Sequence, residues 1–207
     1  MTTAAGAASD AFLFVGNLLW LDFVNTELVR RGEPLDLLRG FGDLVRWLDR
    51  AGAVAPEAAR RARERWARSA EGDAAFREAV GLRTALRGMA GRIAEGRDAG
   101  PAALRAINHA LAARPAYQQV ARSGAGYVTR VVPLSDSARQ VLVPVAESAA
   151  WLLEHGDRSL VRRCENPQCV LFFYDTTKNR RRRWCSMDGC GSRAKAAAYY
   201  RRTHGRG

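Results

Sequence analysis

The runs Cys164-Glu165-Asn166-Pro167-Gln168-Cys169 and Cys185-Ser186-Met187-Asp188-Gly189-Cys190 hold every cysteine of the 207-residue chain. The pattern is C-x4-C, fifteen residues, then C-x4-C. Four thiolates in two clusters, joined by a loop long enough to fold back, can close a tetrahedral shell around one structural Zn²⁺. The spacing marks Cys164, Cys169, Cys185 and Cys190 as its ligands, although x4 is looser than the common x2 knuckle. Unliganded thiols and redox chemistry are the competing readings, but unrelated buried cysteines have no reason to fall in two equal spacings. Two disulfides would need an oxidising compartment, and residues 1–10 lack the basic start and clean apolar stretch of a secretory leader. Leu13 to Leu21 is mostly apolar, but Asp22, Asn25 and Glu27 interrupt it before a bilayer-spanning length, so no membrane partner is expected. A cytoplasmic protein with reduced thiols is the expectation.

Between the cysteine pairs, Val170-Leu-Phe-Phe-Tyr174 has the β-branched and aromatic content of a strand. Asp175-Thr-Thr-Lys-Asn179 supplies turn chemistry, and Arg180 to Trp184 is expected to return as the second strand. Ser186 stands where a helix N-cap belongs, so a helix over about 187–202 would carry Cys190 in its first turn. A knuckle, a hairpin and a helix bearing the last ligand make a treble-clef arrangement. The free amides of the helix start also suit thiolate charge. Phe172, Tyr174 and Trp184 are expected to pack under the metal.

Charge is unevenly placed. Residues 158–207 hold 13 Lys and Arg against 3 Asp and Glu, a net of +10 out of +12 for the chain. The front is close to neutral and the back carries the field, which favours an anionic partner, with nucleic acid ahead of a membrane surface. Lys178, Arg180, Arg181, Arg182 and Arg183 on the loop, with Arg193 and Lys195 on the helix, are the candidate DNA-binding residues. Most would meet phosphates; one or two arginines could read guanine edges.

The rest of the chain reads as α+β: a mainly α-helical N-terminal domain with a small antiparallel hairpin, followed by the treble-clef-like finger. Residues 1–11 are small and polar, expected to be disordered. The domain is placed at 12–155 and the finger at 160–204, with Gly156-Asp157 and the charge shift marking the boundary. Leu18, Leu21, Val24/Asn25 and Leu28 fit one helical stripe from Phe12 to about Arg31. Further helices are expected over 43–50, from Pro56 to about 69, over 73–94, over 101–112 and over 136–154. In the 73–94 segment Ala75, Ala79, Leu82, Leu86, Met89 and Ile93 recur at helical spacing. Pro144 should kink the last helix or mark its true start. Tyr117–Val120 and Tyr127–Val132, flanking Ser123-Gly-Ala-Gly126, read as the hairpin.

No convincing catalytic set emerges. His109, His155 and His204 are scattered without an Asp/Glu cluster, and four thiolates leave a metal no open position, so a non-enzyme is expected. Asp22, Asn25 and Thr26 form a polar notch in an apolar helix. It either lines a small-ligand pocket or hydrogen-bonds a neighbouring turn.

Cys164-Glu-Asn-Pro-Gln-Cys169, Phe172-Phe-Tyr-Asp175, Asn179-Arg180, Arg183-Trp-Cys-Ser-Met187 and Cys190-Gly-Ser-Arg-Ala-Lys195 together resemble the CGNR zinc-finger family. Asn17-Leu-Leu-Trp-Leu-Asp-Phe-Val-Asn-Thr26 resembles the opening motif of the ABATE domain that accompanies that finger. The name-giving motif reads Cys190-Gly191-Ser192-Arg193 here, with Ser in place of Asn. The resemblance implies a stress-related bacterial transcription regulator that binds double-stranded DNA. Its front part would be a sensory or dimerisation domain, with a homodimer and a small-molecule effector as further partners. An RNA- or ribosome-binding stress factor and a protein-interaction adaptor are the alternatives.

Overall fold

The computed structural model describes residues 12–113, 116–133 and 136–204. The expected disorder of residues 1–11 therefore lies outside the described residues.

The long amphipathic stripe organises the front of the chain. Helix α4 (Ala70–Ala94) is capped by the Ser69 hydroxyl, which accepts from the Gly72 N–H at 3.0 Å. Ala75, Ala79, Leu82, Leu86, Met89 and Ile93 are all buried along it. Around it pack α1 (Leu19–Val24), α2 (Phe41–Arg50), α3 (Pro56–Trp66) and α5 (Pro101–Leu111). Pro56 opens α3 and Pro101 opens α5, where the missing N–H costs nothing. Pro144 marks a true start: a 3₁₀ turn over Ala138–Leu142 leads into α6 (Val143–His155).

The expected helix from Phe12 to Arg31 is not formed. Only Leu19–Val24 is helical, and Trp20, Leu21, Phe23 and Val24 are wholly buried. Asn17 (φ +62°) sits in the left-handed region just before it. After it the Thr26 hydroxyl donates to the Phe23 carbonyl at 2.7 Å, closing the helix end. The chain then runs as a hairpin, β1 (Glu27–Arg30) against β2 (Glu33–Asp36), with Arg30 opposite Glu33. Arg31 (φ +53°) and Gly32 (φ +88°) make the two-residue turn, whose positive dihedrals suit the twist of paired strands. Leu28 matched the helical stripe by spacing alone; it is a strand residue.

The second hairpin pairs β3 (Ala116–Ser123) with β4 (Gly126–Pro133), and Tyr127 and Val120 stand exposed on it. The turn falls at Gly124-Ala125, as the glycines indicated, with Gly124 at φ +58°.

Strand β5 (Val161–Arg163) pairs antiparallel with β6 (Phe172–Tyr174), Arg163 opposite Phe172. The Arg180–Trp184 segment is not the partner strand. The short run Val161-Arg-Arg163, just before the first cysteine, takes that place, so the first cysteine pair forms the turn of the β5–β6 hairpin. Helix α7 (Ser192–His204) follows a π-type turn at Met187–Gly191.

The finger is set against the helices, not hung from them. Side chains alternate along β6. Phe172 enters the main helical core together with Val161, and Tyr174 packs on its edge. Phe173 turns to the cysteines, where Leu171, Leu28 and Leu37 join it. The expectation that Phe172 and Tyr174 lie under the metal is thus corrected by the period-two alternation of a strand; Trp184 does pack there.

Candidate metal centre and nucleic-acid surface

The metal-binding geometry is built by the hairpin and the π-type turn. The Cys164 N–H donates to the Leu171 carbonyl at 2.9 Å, and the Cys169 N–H to Asn166 at 2.8 Å, which folds the first knuckle. In the second, the Ser186 hydroxyl accepts from the Gly189 N–H at 3.0 Å, the cap that the sequence suggested. A Cβ on Gly191 would lie 2.5 Å from the Met187 sulfur, which packs over the turn and would have to move aside. All four cysteines are buried and unbridged, and their sulfurs lie within 4.8 Å of one another. Cys169 to Cys185 is 3.8 Å and Cys185 to Cys190 is 3.6 Å. A tetrahedral shell with Zn–S near 2.3 Å requires S···S of about 3.8 Å, so the residues present fit one zinc ion.

Electrostatics point the same way. Hydrogen bonds with Cys169 and Cys185 hold the Cys164 thiol far below its ordinary range. The same contact with Cys164 pushes Cys169 up to about 12, and Cys185 is pushed up as well. Four thiolates this close repel one another, and a divalent cation relieves that repulsion. Two further groups serve the sulfurs: the Asn166 amide donates to Cys190 at 3.4 Å, and the Arg193 guanidinium donates to Cys190 at 3.2 Å. Ser192, in place of the family Asn, bonds the Met187 carbonyl at 3.0 Å and leaves the cysteines untouched. Among the described residues these four cysteines are the one group able to hold a metal ion.

The basic loop is organised by one buried acid. Asp175, 1% exposed, accepts from the Thr177 N–H at 3.0 Å, the Thr177 hydroxyl at 2.5 Å and the Arg182 N–H at 2.9 Å. Burial works against its charge, but these hydrogen bonds and the nearby Arg162 hold the carboxyl below its usual range. The loop is thereby closed from 175 to 182.

Its cations then divide. Arg182 turns inward, over the Phe173 ring at 4.2 Å, and donates to the carbonyls of Trp184 (3.0 Å), Val15 (2.8 Å) and Cys185. Bonded to three carbonyls, Arg182 braces the loop against the second knuckle. Arg193 is exposed but spends its guanidinium on Cys190. Arg180 pairs with Asp157 at 3.3 Å, and Arg183 with Glu165 at 2.6 Å while covering Trp184. Such exposed pairs are worth about 0–1 kcal/mol and open readily. Lys178, Arg181 and Lys195 are exposed and make no ion pair among the described residues. The structure adds Arg163 on β5 and Arg201 and Arg202 at the far end of α7, all exposed.

The polar notch proves to be the seam between front and finger. The Asn25 amide donates to the Phe172 carbonyl at 2.8 Å and its oxygen accepts from the Phe172 N–H at 2.9 Å, as a strand neighbour would. Asp22 accepts from the Gly16 N–H at 2.7 Å, and Thr26 from Arg83 at 2.8 Å. Arg83, 1% exposed, also meets Asp36 and Glu27. Arg87 donates to the Val170 carbonyl of the finger at 3.3 Å. Asn17 reaches the Tyr174 carbonyl at 2.9 Å, and the Tyr174 N–H donates to Gly16 at 2.8 Å. Nothing in the sequence joined Asn25 to Phe172, since no spacing rule links residues 147 apart.

The histidines do not converge on the metal. His109 lies 3.4 Å from Glu78, and His155 stacks on Trp151. No helix among the described residues is long and apolar enough to cross a membrane.

Two family models match. The one described as "Putative stress-induced transcription regulator", the ABATE domain, covers residues 17–156, and the CGNR zinc finger covers residues 161–203. No curated protein matches the chain. With the first model spanning Asn17 to Gly156 and the second enclosing the four sulfurs, the chain belongs to the ABATE family and carries a C-terminal CGNR zinc finger.

Proposed function

We propose that the protein is a non-enzymatic, cytoplasmic transcription regulator whose zinc finger binds double-stranded DNA. The observation that carries this reading is the set of exposed cations on the metal-stapled module. Lys178, Arg181 and Lys195 project unpaired, Arg180 and Arg183 sit behind weak exposed pairs, and Arg201 and Arg202 extend the charge along α7. Cations held by a rigid staple and free of internal partners suit phosphate neutralisation, in which each contact releases a counterion. Helix α7 has the dimensions to enter a major groove. Arg182 and Arg193 act on this surface through the loop and the knuckle they brace. The matched families, described as a transcription regulator and a zinc finger, support the same reading.

The test is duplex binding by fluorescence anisotropy at about 50 mM and about 200 mM salt. Lys178→Ala/Arg181→Ala should weaken binding at both and flatten the log K against log[salt] slope by about 0.9 per lost phosphate contact. Zinc content and thermal unfolding should stay as in wild type, since neither side chain holds anything in place. An unchanged slope would remove the loop from the interface. Tighter binding to an RNA hairpin than to any duplex would favour the RNA-binding alternative.

A further inference from the structure

Outside the finger's own residues, a cleft of about 430 Å³ opens where α2 and α3 meet the end of the first hairpin. Phe12 and Leu37 form its apolar side, and Arg39, Arg46, Arg50 and Arg63 its polar side; among the described residues Asp49 is the one acid lining it. Asp43, just outside, is shared by Arg39 at 3.4 Å and by Arg46. Arg63 differs from the others. It is half-buried, its Nε is shut off from solvent, and that N–H has no hydrogen-bond partner among the described residues. Neither the Arg63 nor the Arg50 side chain makes an ion pair or hydrogen bond among the described residues. An N–H taken out of water without an acceptor is a cost that folded proteins seldom carry; the rest of the Arg63 guanidinium faces the cleft.

We propose that this cleft binds a small phosphate-bearing anion, with Arg63 as its central ligand and Arg46 and Arg50 as flanking contacts. Guanidinium groups approaching from several helix positions match an anion with three terminal oxygens better than a planar carboxylate, which one fork satisfies. The volume suits a small molecule, with Phe12 and Leu37 placed to cover its organic part. Arg46, Arg50 and Arg63 line one cleft, which a compact phosphate group has room to enter. The inference stands apart from the DNA-binding reading, because none of these residues belongs to the finger.

The experiment follows thermal unfolding of the zinc-loaded, full-length protein with phenyl phosphate, against sodium chloride at matched ionic strength. At ten times its Kd the probe should raise the unfolding temperature of wild type by about 3–6 °C. Arg63→Met removes the unpaired charge and keeps much of the volume. It should raise the unfolding temperature of the ligand-free protein and abolish the response to phenyl phosphate. A lowered unfolding temperature in Arg63→Met, as expected were Asp49 to swing over and pair with Arg63, overturns the assignment. So does a wild-type response no larger than that to chloride, or a response that Arg63→Met retains. Loss of duplex DNA affinity in Arg63→Met, with no phenyl phosphate effect on wild type, would put the cleft on the nucleic-acid surface and overturn it equally.

Discussion

Asp22 and Arg182 lie in the two stretches whose chemistry the sequence made most visible: Asp22 accepts from the bend before its helix, one of the two readings of the notch, and Arg182 braces its loop. Arg182 belongs to a run of four arginines, where composition treats all four alike. Which one faces inward was decided by Asp175, whose carboxylate fixes the backbone of residue 182, and by the Phe173 face beneath it. The cysteines were legible because metal ligation demands particular atoms at particular spacings; the arginines were not, because a solvated cation and a bracing one share a composition. Asp22 offers a measurable consequence. Burial pushes its carboxyl up to about 6, against the lowering pull of hydrogen bonds from Gly16 and Val15 and of Arg182 nearby. The folded protein therefore keeps this proton to higher pH than the unfolded chain. Its contribution to stability falls as pH rises from about 4 to about 6 and is flat above. Asp22→Asn keeps an acceptor for the Gly16 N–H and does not titrate. The stability difference between variant and wild type should thus open in the variant's favour across that window, by up to about 3 kcal/mol. Protonation of the zinc thiolates affects both proteins and cancels in the difference. Urea denaturation at several pH values checks it, and a gap independent of pH would contradict the burial argument.

Among the elements, those with long periodic patterns were readable, and short ones only where composition spoke for them. Helix α4 repeats its stripe over about five turns, so chance cannot imitate it; β1 and β5 are four and three residues long, too short for any period to assert itself, whereas β6 was read from its aromatic content. Leu28 shows the failure plainly, since a residue at helical spacing from Leu21 and Val24 belongs to the strand that follows. Helix α7 is the element whose behaviour is most open to measurement. It packs chiefly against the π-type turn that starts it, and Tyr199 and Tyr200 are about two-thirds exposed. A helix of thirteen residues without a packed face is marginal in water. Its amides beyond residue 196 should therefore exchange with solvent far faster than those of α4, and slow on addition of duplex DNA. Ending the chain after Arg193 should leave zinc content and unfolding temperature unchanged while lowering DNA affinity at least tenfold, or about 1.4 kcal/mol. Equal affinity in the shortened protein would show that α7 takes no part.

On the scale of the whole molecule, the change in charge at 156–161 suggested a joint, whereas the side chains run across it. Phe172 sits in the helical core, Leu28 and Leu37 pack beside the cysteines, and Asn25 and Arg87 bond the finger's backbone. Charge reports where a surface faces, not where packing stops, so this continuity could not be read from composition. Removal of zinc should consequently be felt throughout. Structural zinc contributes on the order of 10 kcal/mol to small modules, comparable to the entire stability of an ordinary domain. A high-affinity chelator, or Cys164→Ser, should lower one cooperative transition, by about 2–4 °C for each 1 kcal/mol lost. Calorimetry decides it: a front transition that keeps its midpoint while the finger melts alone would mean that the shared core contributes little.

The seam also sets an order of events during synthesis. Asn25 leaves the ribosome 147 residues before Phe172, the backbone it is shaped to hold, and Gly16 precedes Tyr174 by still more. At about 5–20 residues per second that interval lasts roughly 7–30 s. Throughout it the apolar edge formed by Leu28 and Leu37 has no cover, and the ligand set for the metal is incomplete. The nascent chain thus reaches its final state only once its C-terminal part has emerged, and zinc capture waits on Cys190, the last of the four ligands to be made.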